Sequence, residues 1–297
     1  METVLSIRGL TKRYGRLTAV NNLSLEVGRG EVFGILGPNG SGKTTTLGIL
    51  LDVINRTSGE FSWFGEPPTK EMRKRIGAIL ETPIFYPYLS AVRNLEIVAE
   101  IKEASKENIE PALQKVELFD RKDDKFRTYS LGMKQRLSIA SALICDPEVM
   151  ILDEPTNGLD PQGIAEIREL IRRIAAEGKT IILASHLLDE VQKVCTHFCV
   201  LKKGNLLYSG SVDEIGAGAV TVEVVAEKAP EVLKEWSGAK EIKLENGKCL
   251  VTLSDNQSAV DLNRYLFEKG VVASHLLTQK KSLEKQFLEL LAESENA

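Results

Sequence analysis

Apolar and polar positions set out a series of elements along the chain. Residues 3–8 and 17–26 have the composition of strands, and Thr11-Lys12-Arg13-Tyr14-Gly15-Arg16 is the turn expected between them. Gly28-Arg29-Gly30 turns the chain into the apolar run Glu31-Val32-Phe33-Gly34-Ile35-Leu36, a buried strand. A glycine-rich octet follows, and Thr45-Thr46-Leu47-Gly48-Ile49-Leu50-Leu51 continues as a helix. Residues 59–64 predict an edge strand and 76–80 a buried one. The segment Ile84-Phe85-Tyr86-Pro87-Tyr88-Leu89 resists both helix and sheet, which leaves a loop tucked over a core or a contact surface for a partner protein. Residues 91–103 and 108–118 read as charged helices of a small lobe. A further helix places Leu137, Ile139, Ala140, Leu143 and Ile144 on its apolar positions. The strand Glu148-Val149-Met150-Ile151-Leu152 ends in Asp153-Glu154-Pro155. Another helix opens at Asp160-Pro161 and stops at Gly178, a strand covers 180–184, and a last helix carries Leu187, Leu188, Val191 and Val194.

Beyond 212 the pattern changes. A glycine-bearing linker around Ser211–Gly218 separates a second set of elements: strand 220–226, helix 230–236, hairpin strands 240–245 and 248–253 across Asn246-Gly247, helix 257–269 and strand 271–277. The order β-α-β-β-α-β predicts a small ferredoxin-like domain. A final helix would put Leu283, Phe287, Leu290 and Leu291 on one face, as core or partner contact. The expected domains are therefore 1–212 and 219–297.

Composition narrows the class. The 297 residues are 43% hydrophobic and 27% charged, with a net charge of -4, so there is no basic footprint for nucleic acid. No apolar run approaches a membrane span, and Met1–Arg8 lacks the layout of a signal peptide. The four cysteines sit in apolar or strand-like surroundings, which suits reduced cytoplasmic thiols. Cys195-Thr196-His197-Phe198-Cys199 has metal-binding residue types, but it spans a helix end and a strand start with no second ligand cluster, so no metal is expected there.

The candidate chemistry is concentrated at element ends. Gly37-Pro38-Asn39-Gly40-Ser41-Gly42-Lys43-Thr44 fits G-x-x-x-x-G-K-[ST] between a strand and a helix. In that context backbone amides and the helix N-terminus cradle a triphosphate, Lys43 reaches the β- and γ-phosphates, and Thr44 offers its hydroxyl to Mg²⁺. Thr45 begins the helix beside it. Two carboxylates at the end of a buried strand need a reason, because desolvating them is costly. Asp153 would hold Mg²⁺ through water, and Glu154 would orient or deprotonate an attacking water. Tyr14 is either a stacking partner for an adenine ring or a half-exposed turn tyrosine. Ser130 is an N-cap whose helix start could take a second anion. His186, one of three histidines, stands at a strand end, either to bond a γ-phosphate or simply to begin a helix.

Taken in order, these residues resemble the ATPase subunit of ABC transporters, the ATP-binding cassette family, over roughly residues 3–212. The matching stretches are an aromatic loop at Tyr14, the Walker A loop at 37–44, a loop at Glu81 and the signature at 129–133. Walker B at 149–153 with Glu154, the D-loop ending at Asp160 and the switch histidine His186 complete the set. The resemblance implies a P-loop NTPase α/β cassette: a RecA-like core, an antiparallel β subdomain and a helical subdomain. It also implies that ATP and Mg²⁺ bind between two subunits, a homodimer, with Ser130 and Gly132 of one covering the nucleotide of the other. A separate transmembrane permease would dock near 81–95 and keep the chain, without a lipid anchor, on the cytoplasmic face of the membrane. Two positions depart from the pattern. Glu81, a further candidate metal and nucleotide contact, stands where the family has Gln, and the usual Leu-Ser-Gly-Gly-Gln reads Tyr129-Ser130-Leu131-Gly132-Met133. These departures, with the Glu-Thr-Pro-x-Phe-Tyr-Pro run, resemble the bacitracin and lantibiotic export or self-protection subgroup. The implied function is ATP-driven export of a peptide antibiotic, drug or other substrate. The alternative is a soluble cassette ATPase acting on nucleic acid or ribosomes; those relatives usually carry a long coiled-coil insertion or two cassettes with a basic linker, and this sequence shows one cassette, no heptad array and no basic run.

Overall fold

A computed structural model describes residues 2–80, 84–213, 221–226, 228–245, 247–254 and 256–279. The chain forms two compact units, Met1–Gly210 and Ser211–Ala297. The first is built on a six-stranded sheet. Its strands are β3 (Val32–Leu36), β5 (Ile76–Ile79), β6 (Val149–Asp153), β7 (Thr180–Ser185), β8 (His197–Lys202) and β9 (Asn205–Ser211). They lie in the order β5-β6-β7-β3-β8-β9, and the first five run parallel. β3, β6 and β7 are buried at every position, which explains their unbroken apolar runs. A three-stranded antiparallel sheet, in the order β2-β1-β4, is formed by β1 (Thr3–Tyr14), β2 (Leu17–Gly28) and β4 (Ser58–Trp63). Its inward residues Leu5, Ile7, Leu23 and Trp63 join Leu47, Leu50 and Ile182 in one core. The indole of Trp63 donates to Leu50 O at 3.1 Å, so this large side chain is buried with its polar atom satisfied. α1 (Lys43–Leu50) follows β3, and α2 (Lys70–Lys74) precedes β5.

The helical lobe consists of α3 (Ala91–Lys102), α4 (Ile109–Lys115) and α5 (Leu131–Leu143). The five apolar positions predicted for α5 are all buried. Ser130 caps it by accepting from the Met133 N–H. α6 (Pro161–Ala176) and α7 (Leu188–Val194) complete the unit, and Asp160 caps α6 by accepting from the Gly163 N–H at 2.8 Å.

Two expectations in this unit are corrected. The turn placed at 11–16 is only Gly15-Arg16, because Lys12, Arg13 and Tyr14 pair with Val20, Thr18 and Leu17, and Thr11 pairs with Ser58 of β4. Tyr14 is thus a strand-end residue. Leu187 is exposed and precedes α7 instead of joining its apolar stripe.

The second unit has β10 (Thr221–Val225), α8 (Ala229–Leu233), β11 (Ala239–Glu245), β12 (Lys248–Leu253), α9 (Ala259–Glu268) and β13 (His275–Gln279). The sheet order is β11-β12-β10-β13, with every neighbouring pair antiparallel. Val222, Val224, Val251, Leu262 and Leu266 share its core. The last strand begins at His275, not 271. Val271 instead donates its N–H to Leu266 O to close α9, and its side chain is buried in the core. The predicted helix bearing Leu283, Phe287, Leu290 and Leu291, most of the 211–218 linker and Asn246 of the hairpin turn lie outside the described residues.

Candidate active site

Sheet register brings three strand ends to one edge. Leu36 of β3 lies opposite Ser185 of β7, and Asp153 of β6 lies opposite Ala184. Gly37, Glu154 and His186 therefore emerge side by side. The chain leaves β3 toward β5 but leaves the neighbouring β7 in the opposite direction, toward β8, and such switch points leave a crevice at the carboxyl ends of a parallel sheet.

Backbone packing shapes the glycine loop that follows β3. Gly42 has φ 107°, and a Cβ there would lie 2.4 Å from Ala19 O. At Gly37 a Cβ would lie 2.3 Å from Leu201 O. The turn of the β8–β9 hairpin holds the loop from behind, with the Gly204 N–H donating to Ser41 O at 2.9 Å. Lys43, only 5% exposed, directs Nζ to Gly37 O at 2.8 Å, Pro38 O at 3.4 Å and Glu154 Oε1 at 3.2 Å. Thr44 Oγ1 donates to the buried Asp153 Oδ2 at 2.7 Å. Glu154 adopts φ 48°, rare for a residue with a side chain. The bend lets two consecutive carboxylates both face the loop, one toward Thr44 and the other toward Lys43. The Glu154 N–H donates to Ala184 O at 2.9 Å, and Oε2 lies 2.7 Å from His186 Nδ1.

A cavity of about 550 Å³ opens here, lined by Tyr14, Leu17, Thr18, Ala19, residues 39–45, Glu154 and Lys203. Tyr14 is half exposed, with Lys12 Nζ 4.7 Å from its ring centre. A groove of about 560 Å³ on the polar face of the antiparallel sheet, lined by Arg8, Glu26, Arg56 and Glu60 among others, has no glycine loop and no strand-end carboxylate. The loop cavity is the chemically equipped one.

The remaining expected site residues are grouped elsewhere. Ser130, Gly132 and Asp160 do not line the loop cavity. The start of α5 packs instead against the turn before α6: a Cβ on Gly132 would meet Leu159 at 4.0 Å, and one on Gly158 would meet Leu131 at 3.3 Å. Two helix N-termini thus lie together, capped by Ser130 and Asp160. Glu81 lies outside the described residues. The loop after it divides its side chains. Ile84 is 98% exposed and Tyr86 and Tyr88 about half so, while Phe85 is buried against Phe126 at a ring separation of 5.2 Å.

Sequence reasoning missed two residues. Lys203 lines the cavity from the β8–β9 turn, where its sequence neighbours give no hint of the loop. Glu190 is 1% exposed and accepts hydrogen bonds from Thr156 and Ser185. Its spacing four residues before Val194 places it on the buried side of α7, a signal that was available in the sequence.

Comparison with known proteins places this geometry. The family model described as "ABC transporter" matches residues 20–157. The bacitracin transport ATP-binding protein BcrA of Enterococcus faecalis is 35% identical over 300 residues, covering 98% of this chain and 97% of that protein. The lantibiotic transport ATP-binding protein SrtF of Streptococcus pyogenes is 40% identical over 210 residues, covering 71% of this chain and 92% of that one. The ATP-binding cassette MJ0796, solved as a dimer in a post-hydrolysis state bound to ADP and Pi, is similar at a TM-score of 0.61 and 26% identity. It covers 70% of this chain and 98% of its own.

Proposed function

We propose, from the premise that this chain belongs to the ABC transporter family of ATP-binding subunits, that two copies hydrolyse ATP head to tail and drive substrate export through a separate permease. The chain is an ATP-binding and ATP-hydrolysing transporter subunit. The observation that carries the catalytic assignment is the convergence of Lys43, Thr44, Asp153, Glu154 and His186 at one edge of the sheet.

In this reading Gly37 to Thr45 cradle the phosphates on backbone amides and on the positive end of α1. Lys43 exchanges the carbonyls of Gly37 and Pro38 for phosphate oxygens. Tyr14, at the rim of the same cavity, stacks on the adenine. Thr44 and Asp153 present hydroxyl and carboxylate oxygens 2.7 Å apart, a hard donor set that fits Mg²⁺. The bound ion would offset phosphate charge. Glu154 takes the proton from the attacking water, and His186 holds that carboxylate in place through its 2.7 Å contact.

Ser130, Gly132 and Asp160 act on the nucleotide of a second copy. Their absence from the chain's own loop cavity and the dimeric state of the MJ0796 cassette support this. The exposed Ile84, Tyr86 and Tyr88 form the face that meets the permease. Among the described residues no helix is long and apolar enough to cross a membrane, and we place the subunit on the cytoplasmic face of one. BcrA and SrtF are named for transport of bacitracin and a lantibiotic, which favours a peptide antibiotic as substrate over action on nucleic acid or ribosomes. The functional domains are 1–212 and 219–297. The latter is read as ferredoxin-like, supported by its β-α-β-β-α-β order and by a sheet with the first and third strands at the centre.

The test is Glu154→Gln. Nucleotide affinity, measured with a fluorescent ATP analogue, is expected to stay within about threefold, while steady-state phosphate release falls by at least about a hundredfold. Phosphate release near the unmutated rate removes Glu154 as the base.

A further inference from the structure

Glu190 is a buried carboxylate that the proposed chemistry does not use. It projects from α7 and is 1% exposed. Ser185 Oγ donates to Glu190 Oε2 at 2.6 Å, and Thr156 Oγ1 donates to Glu190 Oε1. Both hydroxyl protons are thereby directed at one carboxylate. Ser185 Oγ in turn accepts the Leu187 N–H at 3.0 Å. The result is a directional chain from the Leu187 amide through the Ser185 hydroxyl to Glu190, closed from the other side by Thr156. Burying a carboxylate on two hydroxyls is costly, and nearby apolar packing alone would be served by a leucine.

The places this chain joins are informative. Ser185 and Leu187 flank His186, and Thr156 lies two residues after Glu154. Ser185 O also accepts the Gly37 N–H at 3.3 Å, at the first residue of the glycine loop. Glu190 therefore fixes, from behind, the backbone on both sides of the 2.7 Å contact between His186 and Glu154. Glu154 is itself held at φ 48°, a conformation that persists only where surroundings enforce it. We infer that Glu190 is a positioning residue for hydrolysis, bridging the ends of β6 and β7 so that His186 and Glu154 stay in register while neither touches Glu190. The inference rests on the catalytic reading above for its kinetic consequence, but the bridge can be tested without turnover.

The experiment uses the full chain and the variants Glu190→Ala and Glu190→Gln, with Thr156→Val and Ser185→Ala as single-arm controls. Steady-state ATPase gives kcat and KM. Imidazole NMR without nucleotide follows His186, one of only three histidines and assignable with His186→Gln. A small displacement of a reacting group costs up to about a hundredfold in rate, so Glu190→Ala is expected to lower kcat at least about tenfold with KM within about threefold. Its His186 resonances should move toward those of Glu154→Gln. Glu190→Gln accepts one hydroxyl and donates to the other, and should recover at least about a third of wild-type kcat with His186 near its native position. Each control should lose less than Glu190→Ala. Should Glu190→Ala fail to fold, the double variant Thr156→Val/Ser185→Ala, which removes both arms of the bridge, takes its place with the same expected kcat loss, His186 shift and overturning result. A kcat within about twofold of wild type with unmoved His186 resonances overturns the inference. So does a kcat loss matched by rising KM and falling Tm with His186 unmoved, which marks a merely structural role. Wild-type protein without ATPase activity would sink the catalytic reading, and the His186 resonances would still decide the bridge.

Discussion

At the scale of single residues, charge placement separates the proposed catalytic carboxylate, Glu154, from a structural one, Glu148. Glu154 is held by Lys43 and His186 beside a cavity, where a ligand can reach it. Glu148, at the other end of the same strand, is held between two guanidiniums, Arg75 at 2.6 Å and Arg29 at 2.8 Å. The hydrogen bonds from Arg75 and then from Arg29 keep its carboxyl below the usual glutamate range. A depressed folded-state pKa adds stability above the unfolded-state value, and that stability is lost as pH falls through the folded value. Glu148→Gln should therefore lower Tm modestly at neutral pH. The gap from wild type should close as the solution is acidified below the ordinary glutamate range. Because the pair is partly exposed, the neutral-pH gap should also shrink in about 1 M salt. Thermal melts across pH would refute this if the gap were constant.

At the scale of elements, the loop and its helix depend on contacts made far away in sequence. Gly42 is required twice, by its φ of 107° and by the carbonyl of Ala19 2.4 Å from where a Cβ would stand. That carbonyl belongs to β2, so the antiparallel sheet sets the space available to the nucleotide loop. Gly42→Ala should destabilise the first unit by about 3 kcal/mol and weaken ATP binding together with stability. Asp160→Ala, which within a single chain removes a helix cap, should cost about 1 kcal/mol and leave nucleotide affinity of the monomeric chain unchanged. Equal losses in urea melts of the two variants would show that loop packing is no tighter than an ordinary cap.

At the scale of the whole molecule, the division between the loop cavity and the Ser130–Asp160 pair predicts complementation. A Lys43→Ala chain lacks the cradle but keeps Ser130 and Gly132, whereas a Ser130→Arg chain keeps the cradle and blocks the cover. Each alone should be nearly inactive. Mixed at equal amounts, half of the dimers would carry one intact site. ATPase should then recover to about a quarter of wild type if sites fire independently. No recovery on mixing, with dimers present by light scattering, would count against head-to-tail sharing.

Much of the candidate site was legible in the sequence because its residues occur in short local motifs whose spacing is fixed by strand–loop–helix geometry. Gly37 to Thr45, Asp153-Glu154 and His186 all sit at element ends that apolar runs and turn residues reveal. Even the six-element order of the second unit followed from alternation and turn chemistry, with the last strand misplaced by four residues because Val271 and Val272 have strand composition while Val271 closes a helix. What only the tertiary structure decided is which strand ends lie level. The parallel register of β3, β6 and β7 juxtaposes residues more than a hundred positions apart, and no local pattern encodes register between distant strands. Tyr14 was misplaced for a local reason instead: it pairs with Leu17 across the two-residue turn Gly15-Arg16, a tighter hairpin than the polar run 11–16 implied. Distant packing did decide Glu190, a buried carboxyl group whose hydroxyl partners Thr156 and Ser185 lie on two other segments.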